Sequence, residues 1–202
     1  MKKKNETQLI RCNWCVGKPL YEHYHDNEWG IPVYNDSVLF EFLVLESAQA
    51  GLSWWTILQR RENYRKAFSQ FDYKKIATYN DQKVQELMQN DGIIRNRAKI
   101  LSTINNAKRF MEVQKEFGSF SEYLWSFVNG KPIRNQLKNI QEIPQTVAIA
   151  DILTKDLKKR GFTFLGTTTV YAYMQAVGLV NDHLTTCFCY QPTKKDLNKR
   201  KT

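Results

Sequence analysis

The chain has 202 residues, 42% of them hydrophobic and 13% aromatic, and its formal net charge is +10 at pH 7. This composition excludes a disordered chain, and the basic excess favours a polyanionic partner, chiefly nucleic acid or an anionic membrane surface, over a surface that is charged only for solubility. No apolar run approaches the ~20 residues of a membrane span and the N-terminus lacks a signal sequence, so we expect a cytoplasmic protein with no membrane association and reduced cysteines.

Hydrophobic periodicity predicts helices along most of the chain. The first begins at Asp36-Ser37, which are good N-cap residues, and runs to Gly51. Further helices are predicted over residues 53–71, 80–92, 93–118, 120–132, 147–162 and 164–179, with a connecting loop at 131–146. No strand pattern or internal repeat is evident. The sequence therefore predicts an all-α domain of about eight helices over residues 11–190, flanked by basic, flexible termini at 1–10 and 191–202.

All cysteine and histidine residues fall in two clusters, one near each end of the chain. They are Cys12, Cys15, His23 and His25 at the N-terminus, and His183, Cys187 and Cys189 at the C-terminus. His183 and Cys187 are spaced i, i+4, which on a helix places them on one face. Cys12 and His25 could complete a closed, structural zinc site, although Cys15, His23 or Cys189 could replace a ligand. Small buried core residues are the alternative.

A catalytic zinc is not favoured by these clusters. The zinc deaminase signature, H-x-E with P-C-x-x-C, is absent, because His25 is followed by Asp-Asn and the C-terminal pair is spaced C-F-C. A fully occupied ligand set also argues against a zinc hydrolase, which needs an open coordination position.

Glu46 is the one charged residue on an otherwise apolar helical face. The other residues of that face are Leu39, Phe42, Leu43 and Ala50. A buried carboxylate is costly unless it is paired, and its pKa should rise if it stays unpaired. Arg60 or Arg61 could supply a structural ion pair. Otherwise Glu46 belongs to a base-reading pocket.

Aromatic residues gather around the same part of the sequence. They are Trp14, Tyr21, Tyr24 and Trp29, followed by Trp54 and Trp55. In a basic chain such a group suggests a stacking pocket for a nucleobase, with ordinary core packing as the alternative.

The stretch NDGIIRNRAK, residues 90–99, places a glycine turn between two amphipathic helices and follows it with Arg95, Arg97 and Lys99. Backbone N–H groups at a helix N-terminus bind phosphate, and a helix-hairpin-helix element holds the DNA backbone in this way. As a bare pattern, two helices that only pack together fit equally well.

Several longer motifs together resemble the bacterial 3-methyladenine DNA glycosylase I family. They are YHDNEWG, LESAQAGLSW, NDGIIRNRAKI, LWSFVNGKP and KKRGFTFLGTTTVYAYMQAVGLVNDH, in this order, with the two Cys/His clusters. The resemblance covers residues 11–190. It implies a helix-hairpin-helix glycosylase fold and one structural zinc that joins the N- and C-terminal segments, with the ligands Cys12, His25, His183 and Cys187.

The same resemblance implies the roles of the other site residues. The base pocket would contain Glu46, Tyr21, Tyr24 and Trp54, flanked by Trp14 and Trp29. Gly51 and Leu52 would wedge into the duplex, and the hairpin with Gly92, Arg95 and Arg97 would grip phosphates. The hairpin has one glycine where the superfamily usually has two, which implies a grip that is looser or that uses side chains.

The activity implied is hydrolysis of the N-glycosidic bond of 3-methyladenine in alkylated double-stranded DNA. Glu46 is the catalytic candidate. No aspartate occurs between Asp91 and Asp151, the region where most helix-hairpin-helix glycosylases carry a catalytic one; the family resembled also lacks it. We expect a monofunctional, monomeric, bacterial enzyme that associates with the nucleoid when it acts. A non-catalytic lesion-sensing module is the alternative.

Overall fold

The computed structural model describes residues 9–191; the expected termini 1–10 and 191–202 therefore lie almost wholly outside the described residues. The described part is mostly helical. Its helices are α1 (Pro19–Asn27), α2 (Asp36–Gln49), α3 (Trp54–Leu58), α4 (Arg61–Ala67), α5 (Tyr73–Ile76), α6 (Asp81–Gln89), α7 (Arg97–Phe117), α8 (Phe120–Ser126), α9 (Ala148–Lys159) and α10 (Thr167–Ala176). Short 3-10 turns occur at Asn13–Cys15, Ser69–Phe71 and Ile140–Glu142.

Helix α2 lies at the centre of the core. Every residue from Leu39 to Ala48 is buried, because the helix contacts α3, α7, α8 and α10. Its N-cap is Asn35, whose side chain accepts hydrogen bonds from the backbone of Ser37 and Val38, and not the expected Asp36-Ser37 pair. The Asp36 carboxylate instead accepts from the first backbone N–H groups of α8, at Phe120 and Ser121, and so joins the two helices.

Helix α1 was not predicted, several predicted helices are shorter than expected, among them 120–132, which ends at Ser126, and two differ more markedly. The helix expected over residues 53–71 is divided between α3, α4 and a 3-10 turn, in which Gln70 has a left-handed φ of 58°. The helix expected from residue 93 begins only at Arg97. Asn96 stops it there, because its side chain caps the backbone N–H of Lys99.

The sequence predicted no strand, whereas the structure has one short pair of parallel strands. Strand β1 (Ile133–Arg134) lies in the expected loop and pairs with β2 (Val180–Asn181), so the all-α prediction is correct only for the bulk of the described chain. Two-residue strands are too short to show alternation in the sequence. The pair joins the segment that follows α8 to the chain that follows α10. Among the helices of residues 9–191, none is long and apolar enough to cross a membrane.

Candidate active site and metal centre

Glu46 projects from the third turn of α2 into a cavity and is only 4% exposed. Its Oε2 atom has no hydrogen-bond partner in the described part of the chain. Burial raises the pKa of this carboxyl group to about 8. The predicted ion-pair alternative is wrong for Arg61, whose guanidinium contacts Glu28 and Glu41, each at 2.6 Å.

The cavity around Glu46 encloses about 410 Å³ of empty space, its open mouth included. Its walls contain the five aromatic residues that the family resemblance implied for the base pocket, and not Trp55, the sixth aromatic of the group in the sequence. The five are Trp14, Tyr21, Tyr24, Trp29 and Trp54. Gln49, Ala172 and Gln175 also line it, and sequence reasoning missed them. For Gln49 a signal was present, because it lies one turn after Glu46 on α2.

The aromatic rings form a box with polar edges. Trp14 meets Tyr21 at a centroid distance of 4.8 Å and Trp29 at 5.0 Å, and Tyr24 meets Trp54 at 5.2 Å. The Trp54 indole N–H is buried without an acceptor among the described residues. Burial, assisted by the Glu46 charge, holds the pKa of the Tyr24 hydroxyl well above its usual value, so Tyr24 stays a neutral donor. The box thus combines flat apolar walls with a free acceptor and a free donor.

The two Cys/His clusters meet behind the pocket. Cys12, His25, His183 and Cys187 are all buried, and their ligand atoms lie within 4.8 Å of one another. The Cys187 Sγ atom is 3.5 Å from His25 Nε2 and 3.6 Å from His183 Nδ1. Cys12 Sγ is 3.7 Å from the same His183 nitrogen. These four side chains could hold a metal ion.

His183 and Cys187 are not on a helix, contrary to the prediction. The chain forms a tight turn in which the Cys187 N–H bonds to the Leu184 carbonyl, and the turn provides the proximity that i, i+4 spacing gives in a helix. The remaining candidates are not members of the quartet, although Cys15 and Cys189 lie next to it. Cys15 donates to the Cys12 carbonyl, His23 is exposed, and the side chain of Cys189 belongs to a second group with His25 and Asp26.

In both histidines of the quartet, the ring nitrogen that points away from the cysteines contacts an acceptor, which fixes the orientation of the ring. His25 Nδ1 lies 2.8 Å from an Asp26 carboxylate oxygen, which is itself bonded by Arg11. His183 Nε2 lies 3.0 Å from the Trp29 carbonyl oxygen. Each acceptor fixes a proton on the outer nitrogen and leaves the inner nitrogen as a lone-pair donor, which is the arrangement of metal-binding histidines.

Trp29 connects the Cys/His cluster with the pocket. Its carbonyl holds His183, its ring packs edge-on against the His183 ring at 4.6 Å, and the same ring lines the Glu46 cavity. The order of the cluster therefore determines the position of one pocket wall.

Gly51 and Leu52 lie in the exposed loop between α2 and α3. Gly51 has a φ of +79°, which favours glycine, and Leu52 is 40% exposed. The loop leaves α2 one turn after Glu46, so its position is coupled to the pocket.

Residues 90–96 form a turn between α6 and α7. Gly92 lies close to α4, since a Cβ atom at this position would be 3.0 Å from the Asn63 side chain. Arg95 and Arg97 are exposed beyond the turn. Lys99, which the sequence groups with them, is buried instead.

The Lys99 ammonium group points inward and joins α7 to the end of α2, where the loop that carries Gly51 and Leu52 begins. Its Nζ atom donates to the carbonyl oxygens of Ala48 and Ala50, both at 2.7 Å. These are carbonyls at the C-terminal end of α2, where a positive charge is favourable. Burial lowers the pKa of this amine.

Comparison with known proteins identifies close relatives. A family described as methyladenine glycosylase matches residues 14–190. The chain is 48% identical to DNA-3-methyladenine glycosylase 1 of Escherichia coli K12 over 92% of its length and 100% of the relative's. It is also 48% identical to DNA-3-methyladenine glycosylase of Haemophilus influenzae, over 89% and 97% of the two chains.

Solved structures agree with this assignment. A crystal structure of 3-methyladenine DNA glycosylase I superimposes with a TM-score of 0.88 at 49% identity, covering 90% of this chain and 100% of that one. A variant of 3-methyladenine DNA glycosylase I in complex with 3-methyladenine gives a TM-score of 0.87 at 39% identity, covering 91% and 98%.

Proposed function

The chain belongs to the methyladenine glycosylase family, and from this membership we propose that it excises 3-methyladenine from alkylated double-stranded DNA. It hydrolyses the N-glycosidic bond, releases the free base and leaves an abasic site. The enzyme acts as a monomer and without lyase activity.

One observation carries this proposal: the aromatic cavity contains two buried polar atoms that have no hydrogen-bond partner among residues 9–191. Glu46 Oε2 is an acceptor and the Trp54 indole N–H is a donor. An unsatisfied buried group costs about 1–3 kcal/mol, so a ligand that satisfies both is favoured. The edge of a methylated adenine offers an amino donor and ring-nitrogen acceptors, and its faces can stack on the walls.

The reaction needs little chemical assistance from the protein. Methylation at N3 leaves the base positively charged in DNA, so it is already a good leaving group. The enzyme extrudes the nucleotide from the duplex, and the base stacks between Trp54 and the tyrosines Tyr21 and Tyr24, with Trp14 and Trp29 flanking it. The bond from C1′ to the base breaks with its electron pair on the base, which leaves neutral. Water adds to C1′ and gives its proton to solvent.

We assign the recognition of charge, and catalysis, to Glu46. With a pKa of about 8 its carboxyl group is mostly protonated at pH 7 in the free protein. A cationic base entering the pocket favours the carboxylate form, whereas neutral adenine offers no such gain. The negative charge then also stabilises the positive charge that moves onto the sugar as the bond breaks.

The DNA contacts follow from the exposed elements around the pocket. Leu52, presented by Gly51, fills the space that the extruded nucleotide leaves. The α6–turn–α7 unit is the helix-hairpin-helix element, and Gly92, Arg95 and Arg97 face the phosphates. We assign the pocket and these DNA contacts to a single glycosylase domain, residues 11–190.

We propose that the Cys/His quartet holds one structural zinc ion. A tetrahedral zinc with Zn–N near 2.0 Å and Zn–S near 2.3 Å has N–S edges of about 3.6 Å. The N–S separations of 3.5, 3.6 and 3.7 Å fit such an ion. It would join Cys12 and His25 to His183 and Cys187, and metal analysis should give one zinc per chain. A folded, active preparation without metal would contradict this assignment.

The test of function is release of free methylated adenine from alkylated duplex DNA by the wild type and by Glu46→Gln. We expect release by the wild type and strongly reduced release by the variant, with an unchanged circular dichroism spectrum. Wild-type rates in the variant would remove Glu46 from the site. No release by a folded, zinc-loaded wild type would instead support a non-catalytic lesion-sensing module that binds alkylated DNA.

A further inference from the structure

The loop between α9 and α10 presents an exposed aromatic residue beside the loop between α2 and α3, which carries Gly51 and Leu52 and is called the wedge loop below. Phe164 is 39% exposed, although it is a large apolar side chain in a protein that buries most of its aromatics. Its φ of 61° is left-handed, a conformation that is strained for an aromatic residue. The surrounding structure must therefore hold this residue in place.

Buried polar side chains fix the backbone on both sides of Phe164. Asn106 of α7 is 2% exposed, and its amide both donates to the Thr163 carbonyl and accepts from the Thr163 N–H, each at 2.9 Å. Asn105 donates to the Gly161 carbonyl at 2.8 Å. Ser47, which follows Glu46 in α2, donates to the Phe164 carbonyl at 3.5 Å. The loop is thus rigid, and its exposed tip is an aromatic ring.

Lys99 places this ring next to the wedge loop. Its Nζ atom lies 6.0 Å from the centre of the Phe164 ring and 2.7 Å from the Ala50 carbonyl oxygen. The same ammonium group is therefore close both to the ring and to Ala50, two residues before Leu52. Phe164 and Leu52 are exposed apolar residues of two separate loops, and one buried cation contacts Phe164 and the start of the loop that carries Leu52.

From this arrangement we propose that Phe164 is a second wedge, which inserts into the base stack of duplex DNA next to the extruded nucleotide. The inference rests on the proposed function, because it takes alkylated duplex DNA as the partner. Proteins that kink DNA use apolar side chains, phenylalanine and leucine among them, in this way. A rigid loop with a left-handed residue at its tip suits this role. The ring gains stacking contact, and the loop that holds it loses no further conformational freedom on binding.

The experiment compares Phe164→Gly with Phe164→Tyr and with the control Ile152→Ala. Glycine removes the ring and accepts the positive φ, so the loop should keep its shape, whereas tyrosine keeps the ring. Ile152 is a 54% exposed apolar residue on α9, outside the proposed site. Each protein is tested on methylated duplex DNA, on methylated single-stranded DNA and with free 3-methyladenine.

We expect Phe164→Gly to lower kcat/KM on duplex DNA by about tenfold or more, the effect of losing one aromatic stacking contact. Single-stranded excision and free-base affinity should change less than twofold, and Phe164→Tyr and Ile152→Ala should resemble the wild type. Unchanged duplex activity, or an equal loss on both substrates, would overturn the proposal.

A binding measurement separates failure of this inference from failure of the proposed function. Duplex DNA with a stable abasic analogue and 2-aminopurine beside it reports on the base stack without any chemistry. The wild type and Phe164→Tyr should raise the fluorescence by unstacking the reporter, and Phe164→Gly should raise it much less. If the wild type excised nothing, this assay would still test Phe164, and equal fluorescence with all variants would refute the second wedge.

Discussion

Glu46→Gln should make the protein more stable at neutral pH while it lowers excision. Burial raises the pKa of this carboxyl group from 4.5 to about 8, so the folded state binds more protons than the unfolded state between these values. The free energy of unfolding therefore falls as the pH rises through this window, and levels off above it. Each pKa unit corresponds to about 1.4 kcal/mol. Relative to pH values below 4.5, Glu46 therefore lowers the free energy of unfolding by about 3 kcal/mol at pH 7 and by about 5 kcal/mol above pH 8.

Glutamine has a similar shape and does not titrate. The gain from the substitution should approach these figures as upper limits, because an amide must also leave water to enter the pocket. Near pH 4.5 the two proteins should differ little. At pH 7 the melting temperature of Glu46→Gln should be higher by roughly 5–10 °C, at about 2–4 °C per kcal/mol for a chain of this size.

Urea unfolding at several pH values between 5 and 8.5, followed by circular dichroism, measures the difference directly. Other titrating groups are shared by both proteins and cancel in the comparison. Glu112→Gln is the matched control, since it removes the same charge from an exposed side chain paired with Arg109 and should change stability by less than about 1 kcal/mol. A Glu46→Gln protein with the wild-type pH slope would refute the argument that Glu46 is buried without a partner.

Three further changes test other parts of the site. The kcat/KM of the wild type should rise with pH towards about 8, the pKa of Glu46, and a profile of the same shape in Glu46→Gln would assign the titration to another group. Trp54→Phe keeps a ring but removes the unpartnered N–H, so free 3-methyladenine should bind about tenfold more weakly. Trp55 lies outside the cavity lining, so Trp55→Phe should bind the base normally. Equal affinities for the two variants would exclude the hydrogen bond. Asp26→Asn should weaken zinc binding about 10- to 100-fold in a chelator competition by removing the carboxylate behind an imidazole ligand, and an unchanged affinity would show that this support is unnecessary.

Local sequence rules predicted the part of the site that lies on regular helix. Glu46 was recognised because one carboxylate interrupts an apolar face of period 3.6, and the structure buries it as that pattern requires. Gln49 and Gln175 were not recognised, since a glutamine on a helix is usually a solvated residue. Only the packing of α2 against α10 turns both towards the cavity.

The parts that were predicted wrongly depend on contacts between distant segments. The break between α3 and α4 and the pairing of β1 with β2 have no periodic signal over so few residues. The turn that brings His183 to Cys187 is another case. Its spacing suggested a helix, whereas the same proximity is achieved by a non-helical turn.

Lys99 shows how one tertiary contact changes the meaning of a sequence pattern. In the sequence it is the third basic residue after a glycine turn, and that position suggests a phosphate contact. In the structure it is 8% exposed and its ammonium group bonds to two carbonyls of α2, whereas Arg95 and Arg97 remain outside. A buried lysine is costly, so the contact must have a compensating role. Because it joins α7 to the end of α2, a movement of the turn at residues 90–96 would be transmitted to the loop after α2 and to the mouth of the pocket.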